Sequence, residues 1–400
     1  MRENFDIIYD RKNTDSVKWD CADRFFQGAE VLPMWVADMD FQAPREVTEA
    51  IRLRNEQGIY GYTESMPESF RAAFANWVQR RHGWAVRPEW LCHTPGVVPA
   101  LYTAVIAFTE PGDRIMIQPP VYPPFCSIIR ENGRQPVLNP LKIEGGRYVM
   151  DFDDMERQMK SGVKMLILCS PHNPVGRVWE RDELLHLGRL CLENDVLLVS
   201  DEIHADIVFA GRRHLPAASL SRLIEQKSIT CMAASKTFGL AGLITSTAII
   251  PNPQLMARFH HQLQVMGLDS GNVFGITASL AAYRHGEEWL EQLLKYLAGN
   301  LLFLKDFLAE HIPQIEFILP EGTYLVWLDC RKLGLSPRNL SAMLTEKAKI
   351  GLNEGTAFGC EGAGFQRINI ACPRSILQEC LQRLERAVRS ESGQQVQSRQ

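Results

Sequence analysis

The sequence contains no apolar stretch long enough to cross a membrane, and its first residues, MRENFDIIYDRKN, are too polar for a signal peptide. It also lacks a strong charge of either sign. The formal net charge is −4, and no basic stretch or helix-turn-helix pattern is present, which argues against binding nucleic acid. The ten cysteines are scattered without metal-ligand spacing, so we expect buried thiols, no metal site and no disulfide. These absences predict a cytoplasmic protein that binds neither membranes nor nucleic acid.

Internal repeats are absent as well, and the composition is that of an ordinary globular protein, with 46% hydrophobic and 22% charged residues. A chain of 400 residues exceeds one typical hydrophobic core, so two domains are expected. We predict an irregular N-terminal segment (1–45) that packs on the small domain or on a partner subunit, a large domain (46–285) and a small domain (286–392). The polar tail (393–400) has too little apolar surface to order, which predicts disorder.

The large domain alternates short apolar runs with segments of helical periodicity. The predicted strands are Leu91–Thr94, Ile115–Gln118, Met165–Cys169, Val196–Ser200, Ile229–Met232 and Ser246–Ile250. The predicted helices are Pro67–His82, Gly96 to about Phe108, and Arg181–Glu193. This alternation predicts an α/β fold with a mostly parallel sheet between helices.

The pattern changes beyond residue 285. The predicted elements there are a long helix (Trp289–His311), two strands (Tyr324–Leu328 and Gln366–Ile370) and a closing helix (Arg374–Arg389). They predict a smaller α+β domain.

Three polar side chains each follow a predicted strand: Asn173, Asp201 and Lys236. In open α/β sheets the ligand crevice lies at the carboxyl ends of the parallel strands. A lysine that forms a Schiff base and a carboxylate that pairs with a pyridinium nitrogen mark a pyridoxal phosphate (PLP) site. Taken singly, these residues have ordinary alternatives, namely a solvated lysine, a helix N-cap and an Asx turn. Their joint occurrence favours a PLP enzyme.

Two further candidates follow strands. Thr94-Pro-Gly-Val-Val98 enters a helix, whose first amides in Gly96, Val97 and Val98 suit a phosphate, although many helices begin with glycine. Tyr122 stands among prolines, where its ring could stack on a flat heteroaromatic group or could be a surface turn residue.

Arg367 lies inside the apolar run of the small domain. A charged group in such a strand is costly unless it is paired. It could bind a substrate carboxylate through its two-pronged guanidinium, or it could form an internal Arg–Asp bridge.

Five motifs carry a resemblance over nearly the full length. They are Met34-Trp-Val-Ala-Asp-Met-Asp-Phe41, Gly58-Ile-Tyr-Gly-Tyr62, Ser170-Pro-His-Asn-Pro-Val-Gly176, Asp201-Glu-Ile-His204 and Ser235-Lys-Thr-Phe238. The chain resembles fold type I PLP enzymes of the aminotransferase class I/II superfamily, and within them the MalY/PatB group of cystathionine β-lyase-like C–S lyases. The first and fourth motifs point to that group, whereas the third and fifth mark the superfamily.

The resemblance implies a role for each matching residue at the cofactor ring. Lys236 would carry PLP covalently and then move protons, and Asp201 would pair with the pyridine nitrogen. Asn173 would bind the ring hydroxyl oxygen, with His204 close to that oxygen, and Tyr122 would stack on the ring.

The resemblance also implies the remaining contacts. The amides of Gly96, Val97 and Val98 would hold the phosphate, with Ser235 nearby. Tyr62 would reach the phosphate of a partner subunit, so a homodimer with shared active sites is implied. Arg367 would bind the α-carboxylate of a small amino-acid substrate.

Two positions depart from the family pattern. Ala233 stands where a phosphate-binding serine is common, and Gly239 where the group often has asparagine. They put one phosphate contact and the pocket shape in doubt.

The activity implied is β-elimination from cystathionine or another cysteine S-conjugate, which gives a thiol, pyruvate and ammonia. An aminotransferase acting on a non-dicarboxylic amino acid is the first alternative, since no second arginine motif for a dicarboxylate is evident. A PLP-binding regulator that acts through protein contacts is the second.

Overall fold

The computed structural model describes residues 3–397. The helices are α1 Ala22–Phe25, α2 Arg45–Glu56, α3 Glu68–His82, α4 Val97–Phe108, α5 Pro124–Glu131, α6 Phe152–Lys160, α7 Arg181–Glu193, α8 Arg222–Gln226, α9 Ala234–Thr237, α10 Pro253–Val265, α11 Val273–His285, α12 Glu287–His311, α13 Pro337–Ala342 and α14 Arg374–Gln397. The strands are β1 Leu32–Pro33, β2 Leu91–Thr94, β3 Arg114–Ile117, β4 Gln135–Leu138, β5 Lys142–Glu144, β6 Arg147–Val149, β7 Val163–Cys169, β8 Leu197–Asp201, β9 Ser228–Met232, β10 Ser246–Ile249, β11 Glu316–Phe317, β12 Leu325–Asp329, β13 Ile350–Gly351, β14 Asn353–Glu354 and β15 Phe365–Asn369.

A seven-stranded sheet forms the centre of the molecule, in the order β2-β10-β9-β8-β7-β3-β4. Strands β4, β3, β7, β8 and β9 pair in parallel, whereas β10 is antiparallel to both of its neighbours. The central strands β8 and β9 are buried at every position, as expected when helices cover both faces of a parallel sheet. The predicted α/β architecture is thereby confirmed.

A second sheet of four antiparallel strands, β11-β12-β15-β14, lies in the C-terminal part of the chain. The long helices α12 and α14 pack against each other and supply Leu293, Leu304 and Leu381 to the adjoining core. This is the smaller α+β unit that the sequence pattern predicts after residue 285.

The N-terminal segment is tied to this smaller unit. Strand β1 pairs in parallel with β13. Asn369 of β15 donates hydrogen bonds to the carbonyl oxygens of Val36 (2.7 Å) and Asp38 (2.8 Å), and the amide of Asp40 donates to the carbonyl oxygen of Ala371 (2.9 Å), so backbone contacts as well as the strand pairing anchor the segment.

The closing helix differs from its predicted extent. It continues from Arg374 to Gln397, past the expected end at Arg389 and into the tail expected to be disordered, while residues 398–400 lie outside the described part. The continuation contains no proline, and its only glycine, Gly393, costs a helix about 1 kcal/mol without ending it. Within residues 3–397, no helix is both long and apolar enough to span a bilayer.

Candidate active site

A cleft of about 420 Å³ opens at the carboxyl ends of the parallel strands. It brings together ten of the eleven residues singled out in the sequence; only Tyr62 lies elsewhere. The ten are Gly96, Val97, Val98, Tyr122, Asn173, Asp201, His204, Ser235, Lys236 and Arg367.

Lys236 lies on α9, the single helical turn that follows β9. Its Nζ donates a hydrogen bond to the carbonyl oxygen of Ala37 at 2.7 Å. Burial lowers the pKa of the Lys236 amine, because the charged form loses its hydration. A lysine with a lowered pKa has more of its amine in the nucleophilic, proton-accepting form.

Asp201 ends β8 and is 5% exposed. Its Oδ1 accepts a hydrogen bond from the amide of Ile203 at 3.1 Å, and no α-helix follows within the next fifteen residues, so the helix N-cap alternative is wrong. Burial raises the pKa of the Asp201 carboxyl to about 7. A cationic ring nitrogen next to it would restore the ionised form.

Asn173 and His204 lie beside these two residues in the cleft. Asn173 Oδ1 accepts a hydrogen bond from Arg367 Nη1 at 3.0 Å. The His204 ring is buried edge-on to Tyr324, and its Nδ1 has no hydrogen-bond partner in the described structure. Burial lowers the pKa of His204 to about 3, so the ring is neutral and can donate or accept one further hydrogen bond.

The start of α4 also lines the cleft. Gly96 adopts a φ of +123°, which favours glycine, and it precedes the helix without a side-chain cap. The first amides of the helix, from Val97 onward, therefore receive no hydrogen bond from a capping side chain. Together with the helix dipole they make a suitable anion site.

Tyr122 and Ser235 complete the predicted set. Tyr122 is half-buried in the cleft wall, with its ring edge-on to Phe125, so the alternative of a surface turn residue is wrong. Ser235 is half-buried and adjoins Lys236 on α9.

Arg367 is the buried cation of the cleft. The guanidinium donates to Asn173, to the carbonyl oxygen of Trp35 (2.9 Å) and to Asn353 Oδ1 (2.6 Å), all of them uncharged. Within residues 3–397 no carboxylate oxygen lies within 4.0 Å of it, so the internal Arg–Asp bridge is absent. Its Nε has no partner, and burial lowers the pKa of Arg367 to about 10. A buried cation without a counterion is a site for an anionic ligand.

Replacing Arg367 by lysine should impair substrate use while leaving the cofactor content normal. The ammonium keeps the charge but loses the planar fork, so kcat/KM should fall by about 10- to 100-fold, the equivalent of one or two charged hydrogen bonds. The measurement is steady-state kinetics with PLP quantified in the same preparations. Arg374→Lys, at an arginine bonded to Asn300 in the small domain, is the matched control. Equal kinetics for Arg367→Lys and the wild type would contradict a carboxylate-binding role.

Several cleft residues were missed in the sequence. Val17, Phe25, Trp35 and Ala37 come from the N-terminal segment, and Asn353 from the small domain. Trp35 and Ala37 lie in the W-V-A-D-M-D-F motif, to which the sequence analysis gave no role at the site. That motif could have indicated both residues. Val17 and Phe25 carry no motif that could have indicated them.

Tyr62 does not line the cleft of its own chain, and its side chain is fully exposed.

The structure shows the surroundings of the two residues that depart from the family pattern. Ala233 is buried and precedes α9 as its uncapped N-cap residue. Gly239 has a φ of +70°, a conformation that glycine and asparagine both tolerate, which accounts for either residue at this position.

A larger cavity of about 610 Å³ lies at the β2 edge of the sheet, lined in part by Arg71, His93 and His260. It contains none of the predicted site residues. The cleft, although smaller, is where the perturbed amine, carboxyl and guanidinium groups converge, which makes it the candidate active site.

The pKa of Asp201 predicts a pH-dependent stability of the cofactor-free protein. Its folded value of about 7 exceeds the roughly 3.9 of an unfolded aspartate, so the folded state binds more protons between these values and stability falls as the pH rises through that window. The free energy of unfolding, compared with that of Asp201→Asn, should fall by about 2–3 kcal/mol between pH 5 and pH 8. Denaturant titrations of both apo-proteins measure this. A difference that does not vary with pH would contradict the buried carboxyl.

The residues present fit PLP. The uncapped amides at Gly96 suit its phosphate, the buried carboxyl of Asp201 suits its ring nitrogen, and the Lys236 amine suits its aldehyde carbon. The free Nδ1 of His204 leaves a polar contact for a ring substituent. The cleft thus combines an anion site, a buried acid and an amine, the three groups that PLP binding requires.

Comparison with known proteins points to the same cofactor, PLP. The profile of the family described as aminotransferase class I and II matches residues 29–384. Cystathionine beta-lyase PatB of Bacillus subtilis is 45% identical over 386 residues, which cover 96% of this chain and 100% of the relative. Cystalysin of Treponema denticola, solved with a pyridoxal 5′-phosphate cofactor, has a TM-score of 0.95 at 37% identity and covers 98% of this chain and 100% of its own. A PLP-bound protein of Clostridium difficile, described provisionally as an aminotransferase, has a TM-score of 0.94 at 44% identity over 96% of this chain and 99% of its own.

Proposed function

Since the chain belongs to the aminotransferase class I and II family, we propose that it is a PLP-dependent carbon–sulfur lyase acting on cystathionine or another cysteine S-conjugate. The observation that carries the proposal is the buried Arg367, a cation for which residues 3–397 supply no carboxylate partner, in the same cleft as Lys236 and Asp201. It provides an α-carboxylate site beside an amine and an acid suited to PLP. The relatives that carry the names of cystathionine beta-lyase or C–S lyase support the same reaction.

The mechanism follows from what each side chain can do. Bound PLP supplies an electron sink that stabilises negative charge at the substrate Cα. Asp201 keeps the proton on the ring nitrogen, and Arg367 holds the substrate carboxylate so that Cα faces Lys236. The Lys236 amine then takes the Cα proton as a general base.

Cleavage of the Cβ–S bond releases the sulfur as a thiol. The substrate carbon skeleton leaves as pyruvate and its amino group as ammonia after one water molecule is consumed. Val17 and Phe25 of the N-terminal segment also line the cleft, where both side chains are partly exposed.

The decisive assay is pyruvate release from L-cystathionine by the purified protein without any keto acid. Steady release at a rate proportional to enzyme supports the lyase. Amino transfer is the second candidate, favoured by the provisional description of the Clostridium difficile structure. Efficient transfer that depends on added keto acid, with negligible pyruvate, would overturn the lyase in favour of an aminotransferase. Bound PLP without either reaction would leave a regulatory protein.

The proposal includes a homodimer with shared active sites. Tyr62 and Ile59 are largely or fully exposed on a loop whose Thr63 bridges to Gly271 and whose Tyr60 ring packs on Phe274. Apolar and aromatic side chains presented on an ordered loop suit contact with a second copy of the chain better than contact with water.

We also propose a cytoplasmic location. Free buried thiols such as Cys169 are consistent with a reducing compartment.

Mixing Lys236→Ala with Tyr62→Ala subunits, each inactive alone, should restore part of the activity. A mixed dimer holds one site with both lesions and one with neither, so the intact site can work. Pyruvate release after subunit exchange measures it. Tyr60→Ala is the matched control, because that ring packs within its own chain and the variant should be active unmixed. Failed complementation despite demonstrated subunit exchange would contradict an active site shared between subunits.

A further inference from the structure

A second buried carboxylate, Asp206, lies five residues after Asp201 and outside the cleft. It is 7% exposed. Its oxygens accept hydrogen bonds from Trp77 Nε1 (3.2 Å to each oxygen), from His82 Nε2 (3.1 Å) and from the hydroxyl of Thr237 (2.8 Å). Three donors around one buried acid satisfy its charge, so Asp206 is a fixed point in the core.

One of these donors belongs to the turn that carries Lys236. Thr237 directly follows the lysine and ends α9, a helix of four residues. A single helical turn is not stable by itself, since its nucleation is unfavourable. Its N-cap residue, Ala233, offers no side-chain oxygen, so the turn lacks the usual capping hydrogen bond. The Thr237–Asp206 bond is therefore a principal polar anchor of this turn.

The other two donors fix Asp206 to a rigid element. Trp77 and His82 both lie on α3, a helix of fifteen residues, and both are buried. The Trp77 ring also packs against Phe238 with ring centroids 5.6 Å apart. The α3 helix thus holds the lysine turn by an apolar contact at Phe238 and by a polar contact through Asp206.

We propose that Asp206 is a positioning residue that sets the place of the Lys236 amine relative to Asp201. The carboxylate connects the loop that begins at Asp201 with the turn that carries Lys236, through the hydroxyl of Thr237. The positions of Asp201 and Lys236 thus both depend on the buried carboxylate of Asp206. This rests on the proposed role of Lys236 as the lysine that bonds the cofactor.

Glu202 provides an internal comparison. It is a buried carboxylate on the same loop, but it accepts hydrogen bonds from Ser200 (2.8 Å), His214 (2.7 Å) and the amide of Ala217 (3.1 Å). None of these donors lies on the lysine turn. Loss of Glu202 removes a buried acid without removing the connection to Lys236, so it separates general destabilisation from positioning.

The test uses Thr237→Val, which keeps nearly the same shape but removes the hydroxyl, together with Asp206→Asn, Thr237→Ser and Glu202→Gln. The first readout is the rate at which added PLP forms its bond to Lys236 in the apo-protein, followed by absorbance and confirmed by borohydride reduction and mass spectrometry. The second is the division of any activity loss between kcat and KM. The third is apo-protein stability.

Thr237→Val and Asp206→Asn should slow bond formation and lower kcat by about 10- to 100-fold, with KM little changed, because a misplaced amine reacts poorly. Thr237→Ser should restore wild-type behaviour. The double variant Thr237→Val/Asp206→Asn should lose no more kcat than Asp206→Asn alone, since both changes break the same hydrogen bond. Glu202→Gln should lower stability without changing the rate of bond formation.

The proposal is overturned if Thr237→Val loses only stability, to the same extent as Glu202→Gln, while its rate of bond formation and its kcat stay at the wild-type values. If the wild type itself releases no pyruvate, the lyase assignment fails, but the rate of PLP bonding still tests Asp206. If Asp206→Asn does not fold, Thr237→Val and Thr237→Ser still decide the outcome.

Discussion

Replacing Lys236 by alanine should remove the absorption band of the lysine-bound cofactor and lower turnover by at least about 10³-fold, since a general base alone contributes about 10²- to 10⁴-fold. Two functions disappear with this side chain. The amine no longer bonds PLP, and the proposed general base for the Cα proton is lost. Absorbance spectra of the purified protein and pyruvate release at high enzyme concentration measure the two losses.

Lys227→Ala is the matched control for this change. Lys227 lies just before β9, whereas Lys236 lies just after it. The Lys227 amine forms an ion pair with Asp195 at 2.5 Å at the surface. Such an exposed ion pair is worth little, so this variant should keep both its spectrum and its turnover. Lys236→Ala protein that retained a normal lyase rate would contradict the assignment of Lys236.

Asp201→Ala should bind PLP more weakly and slow the loss of the Cα proton by orders of magnitude. In the proposed mechanism the carboxylate would hold the proton on the ring nitrogen, and without that positive charge the ring would accept electrons poorly. Exchange of the Cα hydrogen in deuterated water, followed by NMR, isolates this step from the later cleavage of the C–S bond. The variant should therefore fail at exchange as well as at product release.

Glu202→Gln again serves as the neighbouring control. Its carboxylate points away from the cleft towards His214, so exchange at Cα should continue at nearly the wild-type rate. Unchanged exchange in Asp201→Ala would return Asp201 to a structural role. Slowed exchange in both variants would indicate that the loop as a whole had lost its conformation.

Much of the fold could be predicted because the central strands are continuous apolar runs. Buried parallel strands have no polar face, so they stand out between polar helices and turns. The predicted helix Arg181–Glu193 is found with the same limits, and Met165–Cys169 lies within the observed β7. The end of α14 could not be predicted in this way, because a polar helix and a disordered tail have similar compositions.

The site divides along a similar line. Asn173, Asp201 and Lys236 were found in the sequence because each lies at or just after the end of a strand of one parallel sheet, and the topology alone brings such positions to one edge. Arg367 was found as a charge in an apolar strand, but whether it faced an acid or an open site depended on its neighbours. The structure surrounds it with uncharged acceptors from distant parts of the chain.

The sequence by itself determined the α/β architecture, the strand ends that carry the amine, acid and amide, and the family. The tertiary structure alone decided which backbone carbonyl meets Lys236, namely that of Ala37, 199 positions away. It also decided that Asp206 rather than Glu202 holds the lysine turn. Periodicity and strand ends are local properties that side-chain types reveal. Every residue has a carbonyl, and any buried acid can find donors, so these long-range pairings are specified only by how the elements pack.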